Sequence, residues 1–172
     1  MYKKRINGSV LFILLLSILV IAVAPVLAAK PTGVNVFKVT FDKPITVFKG
    51  NGGVAFPKPQ FSGMVGVSPS DISGSVGPAG IRWIASFVYA IVLPTGTTAP
   101  YSNYQATVFF ELTKGWQVRA WNNNQLAIYH AEVGGWKKLS TYQGGGSRLF
   151  ASSVGPGTYA LGMGVPQVHP AP

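Results

Sequence analysis

From about residue 34 onward, apolar residues recur with a period nearer two than 3.6, and Gly, Pro, Asn and Thr interrupt them roughly every eight to twelve residues. Alternation on that scale is how strands with one buried and one solvated face read, and the regular punctuation is how an antiparallel sandwich or barrel reads. The pattern predicts strands over 34–41, 45–48, 61–67, 81–93, 104–112, 117–121, 125–132, 136–142, 148–152 and 158–163. No stretch offers a convincing amphipathic helix. The fold class expected is therefore all-β, an antiparallel β-sandwich of roughly eight to ten strands.

Two features refine this expectation. Asn122-Asn123-Asn124 and Val133-Gly134-Gly135 each separate a predicted pair of strands, and Asn and Gly tolerate the positive φ that tight hairpins demand. The run IASFVYAIVL over 84–93 is apolar on both faces apart from Ser86, and its β-branched and aromatic content argues strand over helix. A strand of that kind must be covered on both sides. It is expected at the centre of the fold, with membrane insertion as the competing reading.

The start of the chain follows a different pattern. Lys3, Lys4 and Arg5 precede an apolar run from Val10 to Ala24, and Pro25-Val26-Leu27-Ala28-Ala29 follows with small residues. These are the n-region, h-region and cleavage site of a secretory signal peptide. The run is shorter than the roughly 20 residues a spanning helix needs, so cleavage after Ala28 is preferred to an uncleaved anchor. The expected organisation is a signal peptide at 1–28, one sandwich domain at 29–164, and a disordered Pro-rich tail at 165–172 that carries His169. The expected location is secreted, extracellular or held at the cell surface.

Charge and cysteine content then narrow the functional classes. With the signal removed, the Lys and Arg residues outnumber four acids, Asp42, Asp71, Glu111 and Glu132, leaving a net charge of about +7. Such an excess favours anionic partners: wall polymers, acidic glycans or lipid headgroups, with nucleic acid disfavoured by export. The chain has no cysteine. Disulfides and thiol chemistry are thereby excluded, and stability rests on apolar burial and sheet pairing.

Over residues 104–163, Leu126-Ala127-Ile128-Tyr129, then Gly134-Gly135, Trp136-Lys137-Lys138-Leu139 and Gly157-Thr158-Tyr159-Ala160-Leu161-Gly162 resemble the closing strands of β-sandwich modules of bacterial secreted and surface proteins. Some of these are similar to ZU5-type and UPA-type sandwiches. The His-Phe-Ser sequence at which some ZU5-related domains cleave themselves is missing, because His130 is followed by Ala131 and His169 by Pro170. What the resemblance implies is a non-catalytic adhesion, assembly or spacer module.

An internal echo is also visible: Ser75-Val76-Gly77-Pro78-Ala79-Gly80 recurs as Ser153-Val154-Gly155-Pro156-Gly157 before a strand each time. Either it marks a duplication, or two Gly-Pro turns recur by chance; the second reading is preferred.

Material for catalysis is thin. The four acids are widely separated, with no paired-carboxylate or zinc-binding spacing, and no cofactor or metal is expected. A discontinuous triad of His130, a serine, and Asp42 or Asp71 stays open, although His130 shares parity with Leu126 and Ile128 and so belongs at the core or its margin. Gly144-Gly145-Gly146 leads into a strand, which makes it a turn and not a phosphate loop.

Binding has better material. If 117–121 is a strand with Val118 and Ala120 facing inward, Arg119 and Trp121 point together into solvent, a pair able to stack on a sugar ring and contact an acidic group. The counter-reading tucks Trp121 under a loop. Lys137 and Lys138 are adjacent, so they point to opposite faces. The expected function is an exported, non-catalytic sandwich that binds or assembles at an anionic cell surface. A membrane-active β protein, a small hydrolase, and self-association through edge strands are the alternatives.

Overall fold

The computed structural model of the protein describes residues 33–97 and 105–164. The expected signal peptide, the expected tail and residues 98–104 lie outside that description. Among the described residues, eleven strands form two antiparallel sheets. β1 (Asn35–Val39), β4 (Gly63–Pro69), β5 (Ile81–Val92), β11 (Gly157–Gly164), β7 (Leu126–Glu132) and β8 (Gly135–Lys138) lie side by side in that order. The second sheet runs β2 (Ile45–Lys49), β3 (Gly52–Phe56), β6 (Thr107–Glu111), β10 (Arg148–Ser152) and β9 (Tyr142–Gln143). The sheets pack face to face, so the molecule is the all-β sandwich that the alternation predicts.

Period-two patterning places the core between the layers. In β5, Phe87 and Tyr89 point inward and are buried; in β11, Tyr159 and Leu161 do the same. Opposite them, Val47, Val54, Val108, Phe110, Leu149 and Ala151 supply the inner face of the five-stranded sheet. Aromatic rings bridge the layers, with Phe87 5.2 Å from Phe110 between ring centroids. Each such ring removes a large apolar area from water, the main favourable term in a chain without disulfides.

The long apolar strand β5 is interior to its sheet, paired along one edge with β4 and along the other with β11. One irregularity changes its faces. The register shifts between Leu161 and Gly162, which pair with Ala85 and Trp83, so Ile84 is an extra residue, a β-bulge. Trp83, which strict alternation from Phe87 would point inward, instead faces out from the sandwich.

Three expectations over individual segments need correction. Residues 117–121, predicted as a strand, belong to the helix α1 (Gly115–Asn122). The Gln117 side chain accepts the Lys114 backbone N–H at 2.9 Å, half of a capping box. The exit is made by Asn124, whose φ of 57° is left-handed. The Asn triplet therefore ends a helix and is not a hairpin. Residues 136–142, predicted as one strand, divide into β8 and β9, which lie in different sheets. β3, whose GGVAF sequence carries two glycines, was not predicted; its pairing on both edges with β2 and β6 supplies what its propensity lacks. The Val133-Gly134 turn behaves as expected, with Glu132 paired to Gly135 and Gly134 at φ 92°.

The echoed turns do not occupy equivalent places. Residues 70–80 join β4 to its neighbour β5 within one sheet, whereas 153–156 carry the chain from β10 in one sheet to β11 in the other. The topology does not repeat with the motif, which favours chance recurrence of a Gly-Pro turn over duplication.

Candidate functional site

On the outer face of the five-stranded sheet, one rung of side chains runs straight across all five strands. Phe48 on β2 pairs with Gly53 on β3, Gly53 with Phe109 on β6, Phe109 with Phe150 on β10, and Phe150 with Tyr142 on β9. Four inter-strand steps at about 4.8 Å make a row about 19 Å long. These residues alternate with the inward Val47, Val54, Val108, Phe110 and Leu149, so their outward direction follows from the pleat.

The row is continuous because of its glycine. A Cβ on Gly53 would lie 2.8 Å from Cζ of Phe109 and 2.6 Å from Cβ of Phe48, so the Phe109 ring reaches across β3 over a position that has no side chain. Phe109 and Phe150 have centroids 6.0 Å apart, and Phe150 and Tyr142 are stacked at 5.8 Å. Exposure is uneven. Phe109 is 1% exposed, Phe48 and Tyr142 are 51% and 50% exposed, and Phe150 is half-buried. Phe109 thus supports the row from its middle, and both ends are open to a ligand.

Each flank of the row is polar. On one side, Thr46, Ala55, Thr107 and Ser152 form the adjacent outward rung. On the other, Glu111 pairs with Arg148, whose Nε and Nη2 donate to Glu111 Oε1 at 2.9 and 2.5 Å. The guanidinium carbon also lies 5.0 Å from the Phe109 ring centroid. Arg148 is therefore held by a carboxylate and a ring at once. Its Nη1 and the Glu111 Oε2 make no hydrogen bond among the described residues.

Arg119 and Trp121 do not form the pair expected of them. In a helix, residues two apart are separated by about 200° around the axis, so the two side chains leave on nearly opposite sides. Trp121 packs half-buried against the core, while Arg119 is exposed. Trp121 also lines a shallow groove of about 370 Å³ with Leu126, Lys138, Leu139 and Thr141. Trp121 thus shares a groove with Lys138 and points away from Arg119. Lys138 and Lys137 do leave opposite sides of β8, and Lys137 lies 3.5 Å from Glu132.

His130 sits at the core margin, facing Tyr159 at a centroid distance of 4.7 Å. Its neighbouring carboxylate is Glu132, 3.8 Å from Nδ1 and on the same strand. Neither ring nitrogen has a hydrogen-bond partner among the described residues, and burial holds the imidazole below its ordinary pKa despite Glu132. Asp42 lies 3.8 Å from Lys58, and Asp71 accepts the backbone N–H of Ser73 at 2.9 Å. The nearby hydroxyls are engaged structurally. Ser153 Oγ shares hydrogen bonds with Tyr89 and Tyr159, and Tyr159 donates to the Gly155 carbonyl at 2.6 Å, tying the turn before β11 to the core.

Sequence reasoning did not find the aromatic row. Phe48, Phe109, Tyr142 and Phe150 are spread over just more than a hundred positions. The one local signal is strand parity: each lies on the outward alternation of its own segment, where a solvated strand ordinarily places polar residues. Comparison with family models, with curated proteins and with solved structures returned no match for this chain.

Proposed function

We propose that this protein is an exported, non-catalytic β-sandwich that binds cell-surface polysaccharide through the outer face of its five-stranded sheet. The observation that carries the reading is the aromatic rung Phe48, Phe109, Phe150 and Tyr142, open at both ends and flanked by polar groups. The aliphatic faces of sugar rings stack on aromatic faces, and their hydroxyls bond to adjacent polar side chains. A rigid sheet holds both kinds of group without ordering them on binding.

The signal-peptide pattern at 1–28 supports export, and the positive excess supports attraction to an envelope rich in anionic polymers. Recovery of the secreted chain with an N-terminus at Ala29 is the expected result for export. The membrane-active alternative is less well supported, since β5 is hydrogen-bonded along both edges and would have to leave β4 and β11 to insert.

The test is co-sedimentation with insoluble cell-envelope polysaccharide at high salt. The wild-type chain should pellet, and a Phe48→Ala/Tyr142→Ala variant should remain in solution. Equal pelleting of the two proteins would sink the assignment of the site.

A further inference from the structure

We infer that the polymer this face accepts is neutral, an extended polysaccharide laid across the strands, even though the protein as a whole is strongly basic. The inference rests on the polysaccharide-binding reading above and concerns the chemical class of its ligand.

Charge on the platform is balanced. Among the described residues, the outward side chains of the five-stranded sheet include one cation and one anion, Arg148 and Glu111, joined by two hydrogen bonds to a single carboxylate oxygen. Their side chains are 42% and 35% exposed, so a ligand can reach them. An anionic sugar placed over Phe109 would meet the Glu111 carboxylate as well as the guanidinium. It could accept from Arg148 Nη1, but the guanidinium charge there is already offset by Glu111, whose own carboxylate would stand beside the incoming anion. A neutral sugar meets no such conflict. A hydroxyl can donate to Glu111 Oε2 and accept from Arg148 Nη1 without disturbing the ion pair.

The basic residues lie elsewhere. Lys49, on the inward parity of β2, donates to the Gly33 carbonyl at 2.8 Å; Lys38 on β1, Arg82 on β5, and Lys137 and Lys138 on β8 are in the other sheet; Lys114 and Arg119 belong to the cap and body of the helix; Lys43 and Lys58 lie just outside β2 and β3, with Lys58 3.8 Å from Asp42. The positive charge can draw the protein to an anionic envelope without taking part in recognition at the row.

Geometry sets the direction and reach of the chain. The accessible rings are Phe48 at one end and Phe150 with Tyr142 at the other, with the Glu111 and Arg148 pair above the buried Phe109 between them. A polymer running across the strands would stack on the rings at both ends and bond to the central pair. A pyranose in an extended chain advances by about one strand spacing, so the row spans roughly four rings.

The experiment uses the secreted chain on two supports, cellulose and immobilised polygalacturonate, each at low and high salt, with three proteins: wild type, Phe48→Ala/Tyr142→Ala and Glu111→Gln. The expected result is retention of wild type on cellulose that survives high salt, with affinity lowered about tenfold in the double variant. Glu111→Gln, which leaves the Arg148 charge unpaired, should weaken cellulose binding about threefold and increase salt-sensitive retention on polygalacturonate. Thermal melts of all three proteins within a few degrees of one another guard against unfolding as the cause. If wild type is retained only on polygalacturonate, and the double variant loses that retention, the platform stands and the neutral class is overturned. Retention on neither support, or retention indifferent to Phe48 and Tyr142, overturns both.

Discussion

The outer faces of the two sheets use the same device for different ends. On the five-stranded sheet, Phe109 lies over Gly53 and the rings beside it open outward at Phe48 and Tyr142. On the six-stranded sheet, Trp83 and Tyr129 lie over Gly162, where an added Cβ would be 3.1 Å and 2.8 Å from their rings. There the rings close on one another. Trp83 meets Tyr129 edge-on at 5.4 Å and Trp136 at 4.6 Å. Gly77, in the loop between β4 and β5, comes so near that a Cβ there would be 2.7 Å from the Trp83 indole. One aromatic group is roofed by the protein's own chain, and the other keeps two half-exposed ends. Aromatic content alone therefore does not mark a binding face; what the rings still offer to solvent does.

The largest effect expected from this contrast is on stability. Trp83→Ala should lower unfolding free energy by about 2–3 kcal/mol, because it empties a packed cluster, whereas Phe48→Ala should stay within about 0.5 kcal/mol. Denaturant titration of the two variants measures this. Comparable losses would mean that the open row is a packing device as well. Next in size, Gly162→Val should cost about 1–3 kcal/mol by driving methyls into Ile81, Tyr129 and Trp83, and the near-ultraviolet circular dichroism of the tryptophans should change with it.

A smaller effect is expected with pH. His130 has a folded pKa depressed by burial, so the unfolded chain takes up the proton first as pH falls. Stability from this group is complete above the ordinary histidine pKa of about 6.5 and declines as pH drops below it toward the folded value. The melting temperature should fall across that window, and His130→Leu should flatten the dependence. A fall of the same size in His130→Leu would assign the effect to other groups. Smallest of all, Arg119→Ala should leave both the melting temperature and polysaccharide retention unchanged within error, since Arg119 faces solvent on the far side of the helix from Trp121. A loss of retention would return Arg119 to the site.

Much of the architecture was legible in the alternation of the chain. The strands now numbered β1, β2, β4, β6, β7, β10 and β11 overlap segments where apolar residues repeat about every second position, because a half-buried strand imposes that period on its sequence, and β5 overlaps the run whose β-branched and aromatic content argues for a strand covered on both faces. The failures have physical causes. Trp116, Val118 and Ala120 alternate as a strand would, and Trp121 extends the apolar set around a helix; over so short a stretch both periods fit, and the cap at Lys114 and the left-handed Asn124 decide for the helix. That decision separates Arg119 from Trp121. β3 escaped notice since its glycines are chosen by the rings of neighbouring strands and not by local propensity.

By itself, then, the sequence determined the class of this protein: a β-sandwich without disulfides, strongly basic, with β5 as an interior strand, since period, composition and turn chemistry are local properties. Tertiary structure alone decided which outward residues meet. The row depends on the register of four strand pairs, and the outward turn of Trp83 depends on a single bulge at Ile84. Register is fixed by burial and pairing summed over whole strands, so no window of the chain contains it, and a platform assembled from five strands exists only once the sheet does.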